Sequence, residues 1–159
     1  MKKVIVVGIG NPNFKDDGIG YKVVESLGKE QEEIETLCLL STDLKVLDVI
    51  LDYDLAIIVD GVKTGLLKPG TIIEIDPLKS FDYIYASGTH SLTLFEVIRI
   101  GYQVFPERMP KEIKIIGIEV EEVALFDKEC SPEVNKSIPE VIKKIKNYLL
   151  LRGHQNLDP

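Results

Sequence analysis

The sequence predicts an α/β fold, a three-layer α/β/α sandwich around a mainly parallel, twisted sheet of about five strands. Two observations carry that prediction. Apolar, β-branched runs at residues 4–7, 55–59 and 113–120 have the composition of strands buried on both faces. Segments with helical spacing of apolar residues alternate with those runs along the chain. With 159 residues, 45% of them apolar, we expect a single domain over residues 1–159.

The first strand, residues 4–7, runs directly into a glycine-rich loop that contains two adjacent acids, Asp16 and Asp17. Residues 20–27 then carry apolar side chains at helical spacing. A strand, a loop and a helix in this order place the loop at the carboxyl end of the strand. Because open α/β sheets bind their ligands at that edge, the acidic pair is the first indication of a functional site.

The middle of the chain continues the alternation of strands and helices. We predict a short strand at 35–40, a helix capped by Ser41 or Thr42 and extending to Leu51, and the strand 55–59, which ends in Asp60. Residues 62–70 contain two glycines and a proline and are predicted to be a loop, followed by a strand at 71–75. Residues 76–87 show no pattern that assigns them.

The second half is dominated by two helical stretches. An amphipathic helix follows residues 87–91, and the strand 113–120 comes after it. The last helical stretch begins at Ser131, a cap followed by proline, and Pro139 predicts either a kink or a junction of two helices. We expect the tail, residues 153–159, to be frayed.

The composition excludes several classes of function. The net charge of −7 gives no general attraction to nucleic acid phosphates, so we expect no nucleic acid partner. No apolar run approaches the ~18 residues of a membrane span, and no signal peptide is visible, so we expect a cytoplasmic protein without a membrane partner. The excess of lysine over arginine and the scarcity of glutamine resemble proteins from hot habitats.

Three side chains are candidates for chemistry: Asp17, Asp60 and His90. Both aspartates follow strands and the histidine precedes a helix, so all three are expected at the same edge of the sheet. Two carboxylates and an imidazole suit zinc, nickel or another divalent ion and leave open positions on it. The alternative for each residue is structural: an aspartate that caps a turn, or a histidine that bonds to a helix terminus.

Other catalytic patterns are absent or incomplete. The sequence contains no GxSxG, Walker or HExxH motif. Asn13 occupies the position of the third glycine of GxGxxG, and the acids would repel a pyrophosphate, so dinucleotide binding is not expected. The glutamates Glu119, Glu121 and Glu122 either extend the acidic edge or form a solvated strand end, and we favour the second interpretation.

Three segments carry a resemblance to a known family. GIGNPNFKDDGIG, IIVDGV and SGTHSLTL resemble, in order and spacing, the three blocks of the hydrogenase maturation endopeptidases, and the similarity extends over residues 4–150. In that family an acid of the first block, an aspartate after the middle strand and a histidine before a helix bind nickel or cadmium. Position by position, these correspond to Asp17, Asp60 and His90. The supporting loop corresponds to Gly8, Gly10, Asn11, Asp16 and Gly18.

The resemblance implies a specific activity. Such an endopeptidase removes a C-terminal extension from the nickel-loaded large-subunit precursor of a nickel-iron hydrogenase, and the nickel arrives with the substrate. The same site would accept another divalent metal. The partner is then the precursor, and the protein is expected to be a monomer. The composition would suit an archaeal, thermophilic member that serves a coenzyme F420-reducing hydrogenase.

Several points stay open at this stage. Either a carboxylate, as in an aspartyl protease, or the metal activates the water. A carboxylate base would work best if crowding of Asp16 and Asp17 raised the pKa of one of them. A non-catalytic nickel checkpoint protein or chaperone would need the same ligands. Peptidyl-tRNA hydrolase shares the G-x-G-N-P loop, but the catalytic histidine that follows the loop in that enzyme is replaced here by Lys15, Asp16 and Asp17.

Overall fold

A twisted β-sheet between two layers of helices forms the body of the protein. The computed structural model describes residues 3–31, 34–77 and 93–154. The helices and strands are β1 (Val4–Ile9), α1 (Ile19–Glu30), β2 (Glu35–Leu39), α2 (Lys45–Ile50), β3 (Leu55–Val62), β4 (Ile72–Ile75), α3 (Leu94–Val104), β5 (Glu112–Glu119), α4 (Pro132–Asn135) and α5 (Ile138–His154). A short 3-10 helix, Lys15–Gly18, precedes α1.

The described residues form a five-stranded sheet of order β2-β1-β3-β5-β4. The pairs β1–β2, β1–β3 and β3–β5 are parallel, and β4 pairs with β5 in antiparallel fashion. The predicted α/β class with a mainly parallel sheet is therefore confirmed. Strand β2 pairs with β1 on one side, and β3, the next strand along the chain, pairs with β1 on the other side. This reversal makes the carboxyl ends of β1 and β3 the switch point of the sheet.

Alternate residues of the central strands pack on opposite faces of the sheet. Ile58 lies in a core with side chains of α2 and α3, whereas its neighbour Ile57 lies in a core with side chains of α1 and α5. Both isoleucines are fully buried. Burial of a side chain of this size stabilises the fold by ~1.5–3 kcal/mol, so the two apolar faces of each strand hold the three layers together.

Several element boundaries differ from the predictions. The prediction that Ser41 or Thr42 caps α2 is wrong, because the Lys45 N–H donates to the Asp43 carboxylate at 2.7 Å. Pro139 lies in the first turn of α5, so two helices, α4 and α5, meet near it. Helix α5 extends to His154, the last described residue. Residues 155–159 lie outside the described part of the chain.

None of the helices formed by the described residues is long and apolar enough to cross a membrane.

Candidate functional site

Asp60 lies at the switch point of the sheet. It is paired with Ile9 of β1 on one side and with Gly117 of β5 on the other. The prediction that the strand ends before Asp60 is wrong, since β3 continues to Val62. The carboxylate is therefore carried by regular strand backbone, which holds it more rigidly than a loop would.

Asp17 reaches the same edge from the loop that follows β1. It lies in the 3-10 helix Lys15–Gly18, and its Oδ2 accepts a hydrogen bond from the Asn11 N–H at 2.9 Å. Gly10 makes this fold of the loop possible, because its φ is +138° and a Cβ there would lie 1.8 Å from the Asp17 carbonyl oxygen. Asn11 and Gly10 of the predicted supporting loop thus fix Asp17 in place.

The loop as a whole sits directly on the ends of β1 and β3. A Cβ on Gly20, the second residue of α1, would lie 2.3 Å from the carbonyl oxygen of Val59 and 2.5 Å from that of Ile9. A Cβ on Gly8 would lie 2.4 Å from the Gly20 carbonyl oxygen. Only the absence of side chains lets α1 start this close to the strands, and this contact brings Asp17 towards Asp60.

Burial raises the pKa of both carboxyl groups, and the charge of Asp17 adds to the effect on Asp60. Burial raises the pKa of Asp60, the charge of Asp17 raises it further, and a hydrogen bond from the Gly61 N–H offsets only part of this, so the pKa lies well above 3.8. Burial also raises the pKa of Asp17, partly offset by the Asn11 N–H. The pair therefore gains from either a shared proton or a bound cation.

Asp16, the other acid of the adjacent pair, points the opposite way and is fully buried. Its Oδ2 accepts from the backbone N–H groups of Glu121 and Glu122 at 3.0 Å and from the Ser131 hydroxyl at 2.9 Å, and its Oδ1 accepts from the Ser131 N–H at 2.6 Å. Burial raises the pKa of Asp16, but these hydrogen bonds outweigh it, and the pKa lies below 3.8.

Crowding between Asp16 and Asp17 therefore does not raise the pKa of Asp16. The charge of Asp17 instead raises the pKa of Asp60, in addition to the effect of burial. Asp16 is a supporting residue that joins the loop after β1 to the segment after β5. We call the segment 120–131, together with the Asp16 side chain that holds it, the Asp16 clasp.

Glu119 has a role that could not be recognised in the sequence. It is 1% exposed, and its carboxylate accepts from the Thr64 N–H at 3.0 Å, the Thr64 hydroxyl at 2.9 Å and the Gly65 N–H at 2.9 Å. The preferred interpretation of a solvated strand end is wrong for this residue. Glu119 fixes the loop that follows β3 next to Asp60. No local pattern could have revealed this, because its partners lie more than fifty residues earlier in the chain.

His90 lies outside the described residues, as does the rest of 78–92. Helix α3 begins shortly after this stretch, at Leu94, behind a capping box formed by Thr93 and Glu96 that was not predicted. Within the described ranges, no group of three histidine, cysteine, aspartate or glutamate side chains could hold a metal ion. A metal site built on Asp17 and Asp60 would therefore need a further ligand from outside the described ranges.

Comparisons with known proteins agree with one another. The sequence profile of HycI, described as hydrogenase maturation protease, matches residues 21–148. The hydrogenase expression/formation protein HupD of Thiocapsa roseopersicina is 26% identical over 156 residues, which cover 95% of this chain and 69% of that protein. The crystal structure of the [NiFe] hydrogenase maturation protease HycI from Thermococcus kodakarensis KOD1 superposes with a TM-score of 0.71 at 26% identity, over 91% of this chain and 90% of that one.

A more distant likeness concerns the fold alone. The hydrogenase maturating endopeptidase HybD from E. coli has a TM-score of 0.71 at 21% identity, over 95% of this chain and 94% of that one. The arrangement of a mainly parallel sheet with helices on both faces is therefore shared by chains that have little sequence in common.

Proposed function

We propose, because the chain belongs to the hydrogenase maturation protease family, that it removes a C-terminal extension from the nickel-loaded large-subunit precursor of a nickel-iron hydrogenase. Membership makes the chain a peptide-bond hydrolase of hydrogenase maturation. The proposal adds the substrate and its metal: Asp17, Asp60 and His90 receive the nickel that the precursor carries. An archaeal coenzyme F420-reducing hydrogenase is the source of precursor that the composition would suit.

One observation supports this proposal above the others: at the β1/β3 switch point, the charge of Asp17 acts on the carboxyl group of Asp60, which comes from a separate part of the chain. Asp17 comes from the loop after β1, and Asp60 comes from β3 itself. The charge of Asp17 raises the pKa of Asp60, so a cation at this edge would relieve a repulsion that the fold otherwise retains. An imidazole would complete a set of oxygen and nitrogen ligands suited to a divalent transition metal.

The chain's own residues have distinct roles in this proposal. The Asn11 N–H orients Asp17, and the strand backbone orients Asp60. Either a carboxylate of the site or the metal activates the attacking water. His90 has to be neutral to offer a lone pair. Nickel bound with the precursor supplies the positive charge that marks the substrate as loaded and can polarise a carbonyl group.

The test compares nickel-loaded with nickel-free precursor. The enzyme is treated with a chelator and then freed of it, and mass spectrometry follows the C-terminus of the precursor. We expect cleavage of the loaded precursor only. Asp60→Asn serves as the inactive reference.

Each of the other results contradicts part of the proposal. Equal cleavage of both precursors would show that the site does not sense nickel. Cleavage that returns only when zinc is added to the enzyme would indicate a conventional metalloprotease. Binding of the loaded precursor without cleavage would favour a checkpoint protein.

A further inference from the structure

Strand β2 forms an open edge of the sheet. Within the described residues it pairs with β1 alone, at one end of the strand order. The Leu39 carbonyl accepts from the Gly10 N–H at 2.9 Å, so this carbonyl points towards β1. Because the main-chain groups of successive strand residues point to alternate sides, those of Thr36 and Cys38 point away from β1. Each of these two residues therefore offers an N–H and a C=O group to a further strand.

The β2 edge lacks the features with which proteins usually block strand pairing, such as lysine, proline, a bulge or a charge in the middle of the strand. The sequence of β2, Glu35–Leu39, is ETLCL, and its register with β1 is continuous. Its one charged residue is the first. The opposite edge differs, because β4 carries Glu74, which pairs with Lys114 at 3.6 Å and with Lys144 at 3.7 Å. Of the two edges, β2 is the one suited to accept a strand.

Helix α1 holds one face of β2, and the other face is partly open. The Cys38 thiol donates to the Tyr21 carbonyl at 3.6 Å, and a Cβ on Gly28 would lie 2.7 Å from the Thr36 hydroxyl oxygen. On the opposite face, Leu37 is 39% exposed. The strand is thus ordered before a partner binds, which lowers the free-energy cost of binding. Leu37 adds an apolar contact for a side chain of the new strand.

The β2 edge is aligned with the candidate site across the sheet. Ile9 of β1 is paired with Leu39 on one side and with Asp60 on the other. Two residues after Ile9, the Asn11 N–H donates to the Asp17 carboxylate. Neighbouring strands lie ~4.8 Å apart, so a strand added beside β2 would lie three spacings, ~14 Å, from the Asp60 backbone. About four residues of extended chain span that distance.

An extended stretch of another polypeptide suits this edge better than a second copy of the chain. Each copy has a net charge of −7, so pairing of two β2 strands would bring together two acidic proteins. The proposed substrate, in contrast, has a C-terminal extension that must reach the site as a stretch of chain. The edge of a sheet binds such a stretch through main-chain hydrogen bonds, with side-chain contacts at alternate positions.

We propose that the β2 edge binds the C-terminal extension of the precursor as an added strand, which begins about four residues beyond the bond that is cleaved. This inference rests on the proposed function. Strand β1 pairs with β2 and β3 in one continuous register, so an extension bound along β2 is held at a fixed distance from Asp60.

The first experiment measures KM and kcat for cleavage of the nickel-loaded precursor by wild type, Leu37→Lys and Leu151→Lys. Lysine on an edge strand opposes pairing, and its aliphatic stem still covers the surface beneath Leu37. Leu151 is the matched control, because it is 67% exposed and lies on α5 next to Arg152, which pairs with Glu112 of β5. We expect Leu37→Lys to raise KM about tenfold with kcat within about twofold, and Leu151→Lys to match wild type.

The second experiment leaves the enzyme unchanged and places proline at each position of the precursor's extension in turn. A strand bonds to its neighbour through alternate residues, and proline lacks the N–H donor. We therefore expect proline to raise KM at every second position, starting about four residues beyond the cleaved bond.

Every other result contradicts the strand pairing. An unchanged KM for Leu37→Lys, with wild type active, would show that the extension does not use β2, and the proposed function would stand. A raised KM for Leu37→Lys without alternation in the proline series would indicate side-chain contact instead of an added strand. A wild-type dimer in gel filtration that Leu37→Lys converts to a monomer would assign the edge to a second copy. If folded wild type leaves the loaded precursor uncut, the proposed function fails and strand pairing fails with it.

Discussion

Replacing Asp16 by asparagine should destabilise the protein strongly, although the side chain stays almost the same size. Asparagine keeps one acceptor oxygen and turns the other into an NH₂ donor, which would then face the Ser131 N–H in place of the present 2.6 Å hydrogen bond. A hydrogen bond to a charged group contributes ~1.5–3 kcal/mol and a neutral one ~1 kcal/mol. One lost bond and the weakening of those from Glu121, Glu122 and the Ser131 hydroxyl give a loss of at least about 3 kcal/mol.

The assay is equilibrium unfolding in urea, and the neighbouring residue provides the control. Asp17→Asn makes the same chemical change, but the Asp17 carboxylate accepts a single hydrogen bond, from the Asn11 N–H, and its pKa is raised. The free energy of unfolding of this variant should therefore differ from that of wild type by less than ~1 kcal/mol. The pKa of Asp16 is lowered in the folded state, so its contribution is present above pH 3.8 and is lost as the pH falls through the lowered pKa. The gap between wild type and Asp16→Asn should therefore narrow below pH 3.8. Equal stability of the two variants at neutral pH would refute the reasoning.

Three further predictions concern the site and its support. Asp60→Asn should abolish processing of the precursor and yet leave the protein at least as stable as wild type at neutral pH. The reason is that the raised pKa of Asp60 makes the folded state lose stability as the pH rises through that pKa. Thermal melts and the cleavage assay check the two effects, and a clear drop in stability would contradict the raised pKa of Asp60. His90→Ala should abolish processing with less than ~1 kcal/mol change in stability, and lowering the pH of wild type towards ~6 should weaken recognition of the precursor, measured as a rise in KM. Gly20→Ala should cost about 1–3 kcal/mol in urea unfolding, because the new Cβ meets the carbonyl oxygens of Val59 and Ile9; an unchanged midpoint would show that α1 can move away.

The architecture could be predicted because local patterns determine it. Apolar, β-branched runs identified the parallel strands, and Pro139 correctly marked a helix boundary region. The edge at which Asp17 and Asp60 lie also follows from local order, since both come at or near the ends of strands. By contrast, the antiparallel direction of β4 depends on where its loop returns and has no local signature.

The different roles of Asp16 and Asp17 could not be read from the sequence. They are adjacent acids on one loop, and the difference between them is contact with groups 105 to 115 residues further along the chain. Glu119 is similar, since its burial depends on the loop at Thr64. Polar residues that satisfy distant backbone groups resemble solvated ones in a sequence, and only the folded chain distinguishes them.

The Asp16 clasp affects the order in which parts of the chain reach their final conformation during folding. The loop that carries Asp17 is made early in synthesis, but its conformation depends on the backbone N–H groups of Glu121, Glu122 and Ser131, which are made late. Contacts of such high sequence separation form last and cooperatively, once the intervening strands have paired. A nascent or partly unfolded chain therefore holds Asp17 without its final support. The final conformation of the Asp17 loop is thereby tied to completion of the whole domain.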